Sequence, residues 1–318
     1  MDTTSVPVQE WIYYPDSMLF VHIVISTLFW IGLYNVLMLI PLPEYKIHKS
    51  LDGKPIKITR LEILDIQNRM VSFIHGLTLF LLSAYDMFYT SLPYGSPNTE
   101  LQKFTLTMSL GYFMYDTLAM GYYGLLDTPM MFHHGIVCLG IYLSLCFNAS
   151  ASEILAGCYI SEVSNPVMHF RLIIRTIGLR HTKAYETAEY TYILLYIYFR
   201  LFRGLFIVYY TVACPVNHFV VKMISVGVAI QSYFYVFRMV QILTNRFKEM
   251  QERSKSDVSL YWWSQNPKVQ KLSYYIKSAQ KEAIPYFLNI LHTSKYVQVS
   301  FAILIVIGRQ IQFFSILR

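Results

Sequence analysis

Side chains able to move a proton or hold a polar head group recur at helical spacing within apolar surroundings in this 318-residue chain. Asn68, Ser72 and His75 fall at i, i+4 and i+7, so a helix would present all three on one face. Gln231, Tyr235 and Arg238 repeat that spacing, while Ser109, Tyr112 and Asp116, and Glu162, Asn165 and His169 with Pro166 beside them, fall at the equally helical i, i+3 and i+7. His133 and His134 are adjacent, and Tyr196, Arg200 and Arg203 share another apolar stretch. An ionisable group near the middle of a bilayer costs about 2.5–3.5 kcal/mol on insertion scales, so each such residue needs a reason to be there.

Acyl transfer is one chemistry these types allow. His133 or His134 would act as general base for an amine or hydroxyl, oriented by Asp116 or Glu162, with an arginine holding a phosphate. That makes His133, His134 and Asp116 the candidate catalytic set, and His75, Ser72, Tyr112, Glu162, Asn165, Arg200 and Arg238 the candidate lining of a polar pocket. No nucleophile elbow or phosphate loop accompanies them, and no cofactor is expected. Neighbouring histidines on one helix point about 100° apart and cannot both ligate one ion well, so no metal site is expected either. The competing interpretation is structural: Asp116 and Glu162 would pair with Arg200, Arg203 or Arg238 to fasten helices together. On sequence alone both remain open.

The elements that must position these groups are membrane spans. Hydrophobic residues make up 55% of the chain and charged residues 14%, against about 25% charged in soluble domains. Apolar stretches long enough to cross a bilayer run over about 17–41, 65–90, 101–124, 130–148, 152–171, 187–212 and 219–244. The connections 41–60 and 171–186 and the segment 245–297 are rich in Lys and Arg, whereas 1–16, 91–99, 148–152 and 213–218 have none. This is the positive-inside pattern of a polytopic helical protein with its N-terminus on the non-cytoplasmic side. It places His75, Asp116, His133, His134, Glu162 and Arg238 at similar depths, in the inner half of the membrane.

The net charge of +7 sits in loops on one side, where anionic lipid head groups rather than nucleic acid are the expected partners. The Lys- and Arg-free N-terminus argues against a cleaved secretory signal and against a mitochondrial presequence. The four cysteines have neither disulfide-framework nor metal spacing. Pro129 reads as the first residue of its span, capped by Thr128. Residues 245–257 read as a solvated exit, Tyr261, Trp262 and Trp263 as an interfacial anchor, and 267–283 as a basic amphipathic helix lying on head groups. The last apolar run, 297–316, carries Arg309 and reads as either an eighth span or a docked hairpin arm.

Four segments resemble, in order and spacing, the motifs of TLC-domain membrane proteins. They are the run 68–75 ending in His75, the run 111–116 ending in Asp116, the pair His133-His134, and Glu162-Val163-Ser164-Asn165-Pro166. The last is similar to the Glu-x-Ser-x-Pro segment of the branch that is not ceramide synthase. The synthase branch has a pair of Asp residues downstream of the histidines, and this chain has no Asp between His134 and Arg171. The resemblance implies a six-helix barrel-like bundle around a lipid-sized cavity over 61–250, with 1–60 supplying an added span and basic loop, and 251–318 a tail outside the domain.

The expected fold is therefore an all-α integral membrane bundle. The expected function is binding or handling a membrane lipid in an intramembrane polar cavity; any catalysis would be of an acyltransferase type. The alternative is a non-catalytic accessory subunit of a larger membrane complex, contacting other subunits through 245–318. The host membrane, endoplasmic reticulum or mitochondrial, is not selected by the sequence.

Overall fold

A computed structural model describes residues 17–49 and 54–255 of the chain. The aromatic anchor, the amphipathic segment 267–283 and the apolar run 297–316 lie outside the described residues. The architecture is an all-α membrane bundle. Its helices are α1 (Leu19–Leu37), α2 (Arg60–Tyr85), α3 (Glu100–Tyr123), α4 (Thr128–Phe147), α5 (Ala151–Glu162), α6 (Asn165–Thr176), α7 (Lys183–Tyr196), α8 (Gly204–Ala213) and α9 (Phe219–Lys255). A small hairpin of β1 (Tyr45–Lys49) and β2 (Pro55–Lys57) joins α1 to α2. Two π-helical segments, Asp86–Thr90 and Ile197–Arg203, extend α2 and link α7 to α8.

Local chemistry sets the helix boundaries. Thr59 with Glu62, and Thr99 with Gln102, form capping boxes at the starts of α2 and α3. Gly124 (φ 69°) and Asn148 (φ 51°) take the left-handed conformation that stops α3 and α4. The cap of α4 is Asp127, whose carboxylate accepts from Met130 N at 2.8 Å, so Thr128 is the first helical residue and not the cap as expected.

Among the described residues five segments are long and apolar enough to cross a membrane: Leu19–Leu37, Arg60–Thr90, Thr128–Phe147, Lys183–Ala213 and Phe219–Glu252. The helix α3 is about 36 Å long and packs among them, but its buried face carries Gln102, Thr105, Ser109 and Asp116. The span expected over 152–171 is instead broken into α5 and α6. Pro166 has no N–H to give, and its ring clashes with the carbonyl four residues back, so one continuous helix cannot run through Glu162.

Six helical elements close on one another in the order α2, α3, α4, α9, α7–α8 and α5–α6, with α6 returning to α2. The first helix packs on α3 and α2 from outside this ring. At that crossing Gly111 lets Ser26 come so near that a Cβ would overlap Ser26 Oγ. Trp30 Nε1 and Ser26 Oγ both donate to the Met108 carbonyl, at 2.9 and 3.2 Å. Small residues do this where helices meet without a hydrophobic driving force.

The stretch after Thr244 is exposed at Asn245, Phe247, Lys248, Gln251 and Glu252, as expected of a solvated exit, but not at Arg246. The last helix continues to Lys255, and Arg246 in it is 4% exposed. Arg246 pairs with Glu189 of α7 at 3.4 Å and with Glu249 at 3.0 Å. Arg171 of α6 reaches Glu189 at 2.9 Å, and Arg180 reaches Glu249 at 2.8 Å. This charge clamp ties α6, α7 and α9 together on the basic side. Beside it the hairpin plugs Ile47 against Ile66, Ile174 and Leu179, with Ile47 N donating to Ile177 O at 2.9 Å.

Candidate functional site

Polar side chains from α2, α3 and α4 meet first around Asp116. Asn68 Nδ2 donates to Asp116 Oδ1 at 2.7 Å, and Tyr115 donates its hydroxyl to Asn68 Oδ1 at 2.7 Å. His134 Nε2 lies 3.5 Å from Asp116 Oδ2, and its Nδ1 is 2.8 Å from the Thr117 hydroxyl. Asp116 and His134 are each 4% exposed. They form a closed, satisfied knot between helices, which is how buried polar groups avoid the cost of desolvation.

His75, one helical turn along α2 from Ser72, belongs to an aromatic stack. Its ring lies flat on Tyr112 with centroids 3.6 Å apart, edge-on to Trp30, and its Nε2 is 3.2 Å from Ser109 Oγ. Ser72 donates to the Asn68 carbonyl at 3.0 Å. All five side chains are buried.

On the other side of Phe113 the structure opens. A cavity of about 150 Å³ runs between α4, α5, α8 and α9. Phe113 is the partition: it makes edge contacts with both His133 and His134, and only His133 reaches the cavity. Most of the wall is apolar, including Val137, Ile154, Ile207, Val208, Ile224 and Val228. Polar groups gather at one end, where Glu162, His133, Arg200, Ser161 and Ser232 line it. Glu153 lines the far end, about 14 Å away along α5. There it is fixed to the loop, its carboxylate accepting from Gly95 N.

Each group at the polar end is positioned by its element. Glu162 is the last residue of α5, and the break after it turns Asn165 back to donate to Glu162 Oε2 at 2.9 Å. Gly76 of α2 makes room for that carboxylate, since a Cβ there would lie 2.9 Å from Glu162 Oε2. His133 Nδ1 is 3.1 Å from Gln231 Oε1 of α9. Arg200 sits in the π-helical turn, stacks over Tyr196 at 5.0 Å, and donates to the Ser161 carbonyl at 3.1 Å. π-turns re-aim side chains and cluster at functional sites.

The sequence model of the TLC domain matches residues 65–247, more than half of the chain. The chain belongs to the TLC-domain family.

Within this TLC domain the candidate residues sort into three groups. His133, Glu162 and Arg200 line the cavity, with Asn165 behind Glu162. Asp116 and His134 form the knot behind Phe113, so the proposed catalytic trio does not converge on one hollow. Ser72, His75 and Tyr112 pack in the aromatic layer and do not line the cavity as expected. Arg238 is a correction: it is exposed on α9, stacked on Phe234 at 5.4 Å, because α9 touches the bundle along a narrow seam that Gln231 occupies and Arg238 does not. Arg203 is exposed as well. Among the described residues no ion pair within 4.0 Å joins Asp116 or Glu162 to Arg200, Arg203 or Arg238; the hydrogen bonds of Asp116 and Glu162 come from Asn68 and Asn165. Among those residues, too, no three His, Cys, Asp or Glu side chains gather as metal ligands.

Several lining residues escaped the sequence analysis. Gly157 and Ser161 of α5 fall at i and i+4, and Ser225, Ala229 and Ser232 of α9 at i, i+4 and i+7. Small residues on one face of each of two apolar helices were the legible signal for a space between them.

Proposed function

We propose that this TLC-domain protein binds a membrane lipid in the cavity between α4, α5, α8 and α9, with the acyl chain along the apolar wall and the head group at Glu162, Arg200 and His133. The observation that carries this reading is the uneven polarity of one continuous cavity: mostly aliphatic between its ends, with an acid, a base and an imidazole together at one end and the loop-anchored Glu153 at the other. Ligand sites are typically apolar concavities with a few convergent polar groups. The separation of His134 and Asp116 from that space favours binding over acyl transfer, as does the lack of any Asp between His134 and Arg171.

The test is lipid occupancy. Protein purified in mild detergent is extracted and its lipids are quantified by mass spectrometry, beside His133→Ala and Glu162→Ala variants. Both substitutions remove a head-group contact and are expected to lower occupancy several-fold. Unchanged occupancy in both would remove the reading.

A further inference from the structure

The polar end of the cavity also constrains what kind of head group it takes. Gln231 fixes the state of His133. Its Nε2 donates to the Pro129 carbonyl at 3.1 Å, which orients the amide and turns Oε1 toward His133 Nδ1. A carbonyl oxygen can only accept, so Nδ1 carries the proton, and in the neutral ring Nε2 is a bare lone pair. Glu162 presents a second acceptor on the cavity wall, a carboxylate whose Oε2 already takes the Asn165 hydrogen bond. Arg200 supplies the donors, with one nitrogen already committed to Ser161 O. The cavity end therefore offers a fork of donors facing two acceptors. By charge, the wall of the whole cavity carries one guanidinium and two carboxyls, Glu153 and Glu162. That is not a cationic site.

We propose that the head group is uncharged and bears hydroxyls, as in a monoacylglycerol-type or other neutral alcohol lipid, and is not a phosphate or carboxylate. This rests on the reading of the cavity as a lipid site. A hydroxyl accepts from Arg200 through its oxygen and gives its hydrogen to His133 Nε2 or Glu162, so every group is paired. An anion brings acceptors only. It satisfies Arg200 but sets its own lone pairs against those of His133 and Glu162, in a setting of low dielectric where unpaired polar groups are most costly. Sites built to pair with a hydroxyl reject analogues lacking it for this reason.

The test uses the full chain in nanodiscs of zwitterionic lipid. A fluorescent acyl probe is bound and then displaced by 1-oleoylglycerol, oleate or oleyl phosphate, which share one chain. Displacement from a Gly157→Phe variant, whose cavity is filled, gives the background. The neutral alcohol is expected to compete at least tenfold better than either anion, and Glu162→Gln is expected to shrink that preference by removing an acceptor. The main comparison uses unmodified protein and so does not depend on a variant folding. Anions competing as well as the alcohol would overturn this inference and leave the lipid cavity standing. Probe binding that Gly157→Phe does not reduce would overturn both.

Discussion

Gly157 offers the sharpest perturbation of the cavity. It sits in the middle of α5 and lines the cavity, and a Cβ built on it meets no atom within 4 Å. Gly in a helix interior is less favourable than Ala by about 1 kcal/mol, so Gly157→Ala should stabilise α5 by about that amount with no clash to offset it. A larger side chain at the same position points into a space of about 150 Å³. Gly157→Phe should therefore fold, gain helix propensity, and occupy the volume that an acyl chain would use. The two variants separate stability from occupancy. Thermal unfolding in detergent should show both at least as stable as the parent. Lipid occupancy by mass spectrometry should be little changed in Gly157→Ala and fall at least tenfold in Gly157→Phe, a difference of about 1.4 kcal/mol or more. A folded Gly157→Phe protein with undiminished lipid would refute the reasoning, because the lipid would then be bound elsewhere.

Other predictions follow from the same contacts. Asp116→Ala strands Asn68 and His134 in a buried setting and should destabilise the bundle by about 1–3 kcal/mol in a denaturant titration, yet leave lipid occupancy close to the parent's; a large loss of lipid without a loss of stability would contradict the partition by Phe113. Gly111→Ala drives a methyl into Ser26, including its backbone carbon at 2.8 Å, and should cost about 1–3 kcal/mol, recovered in part by adding Ser26→Gly; an unrescued double variant would contradict the close crossing of α1 and α3. Glu189→Ala leaves Arg171 and Arg246 without their buried partner and should cost about 3–5 kcal/mol, seen as early protease cleavage at the inner end of α9; unchanged protection would contradict the clamp.

Much of this arrangement was legible in the sequence because membrane burial makes polar residues conspicuous. Asn68, Asp116 and His134 stood out in apolar runs, and they do converge. The charged loops marked where the apolar runs end, and Pro166 was visible beside Glu162, although only the structure shows it splitting the span into two helices of 12 residues each. Helical spacing failed where a helix touches its neighbours along less than a full face. Gln231 and Arg238 share a stripe in sequence, but α9 presents only the first to the bundle. The division between knot and cavity was not legible either. It depends on Phe113, an aromatic residue with no distinguishing pattern, standing between two adjacent histidines. The position of Arg200 depends on a π-helical turn, which ordinary helical periodicity does not anticipate. The inner hairpin, with Ile47 buried beneath it, lay within a loop that read only as basic.

The most direct measurement is a density map of the protein in lipid nanodiscs. The account predicts elongated density between α5, α8 and α9, ending in a head-group feature within hydrogen-bonding distance of Arg200, His133 and Glu162. A cavity closed by contact of α5 with α9, or acyl density whose head lies at Glu153, would contradict it.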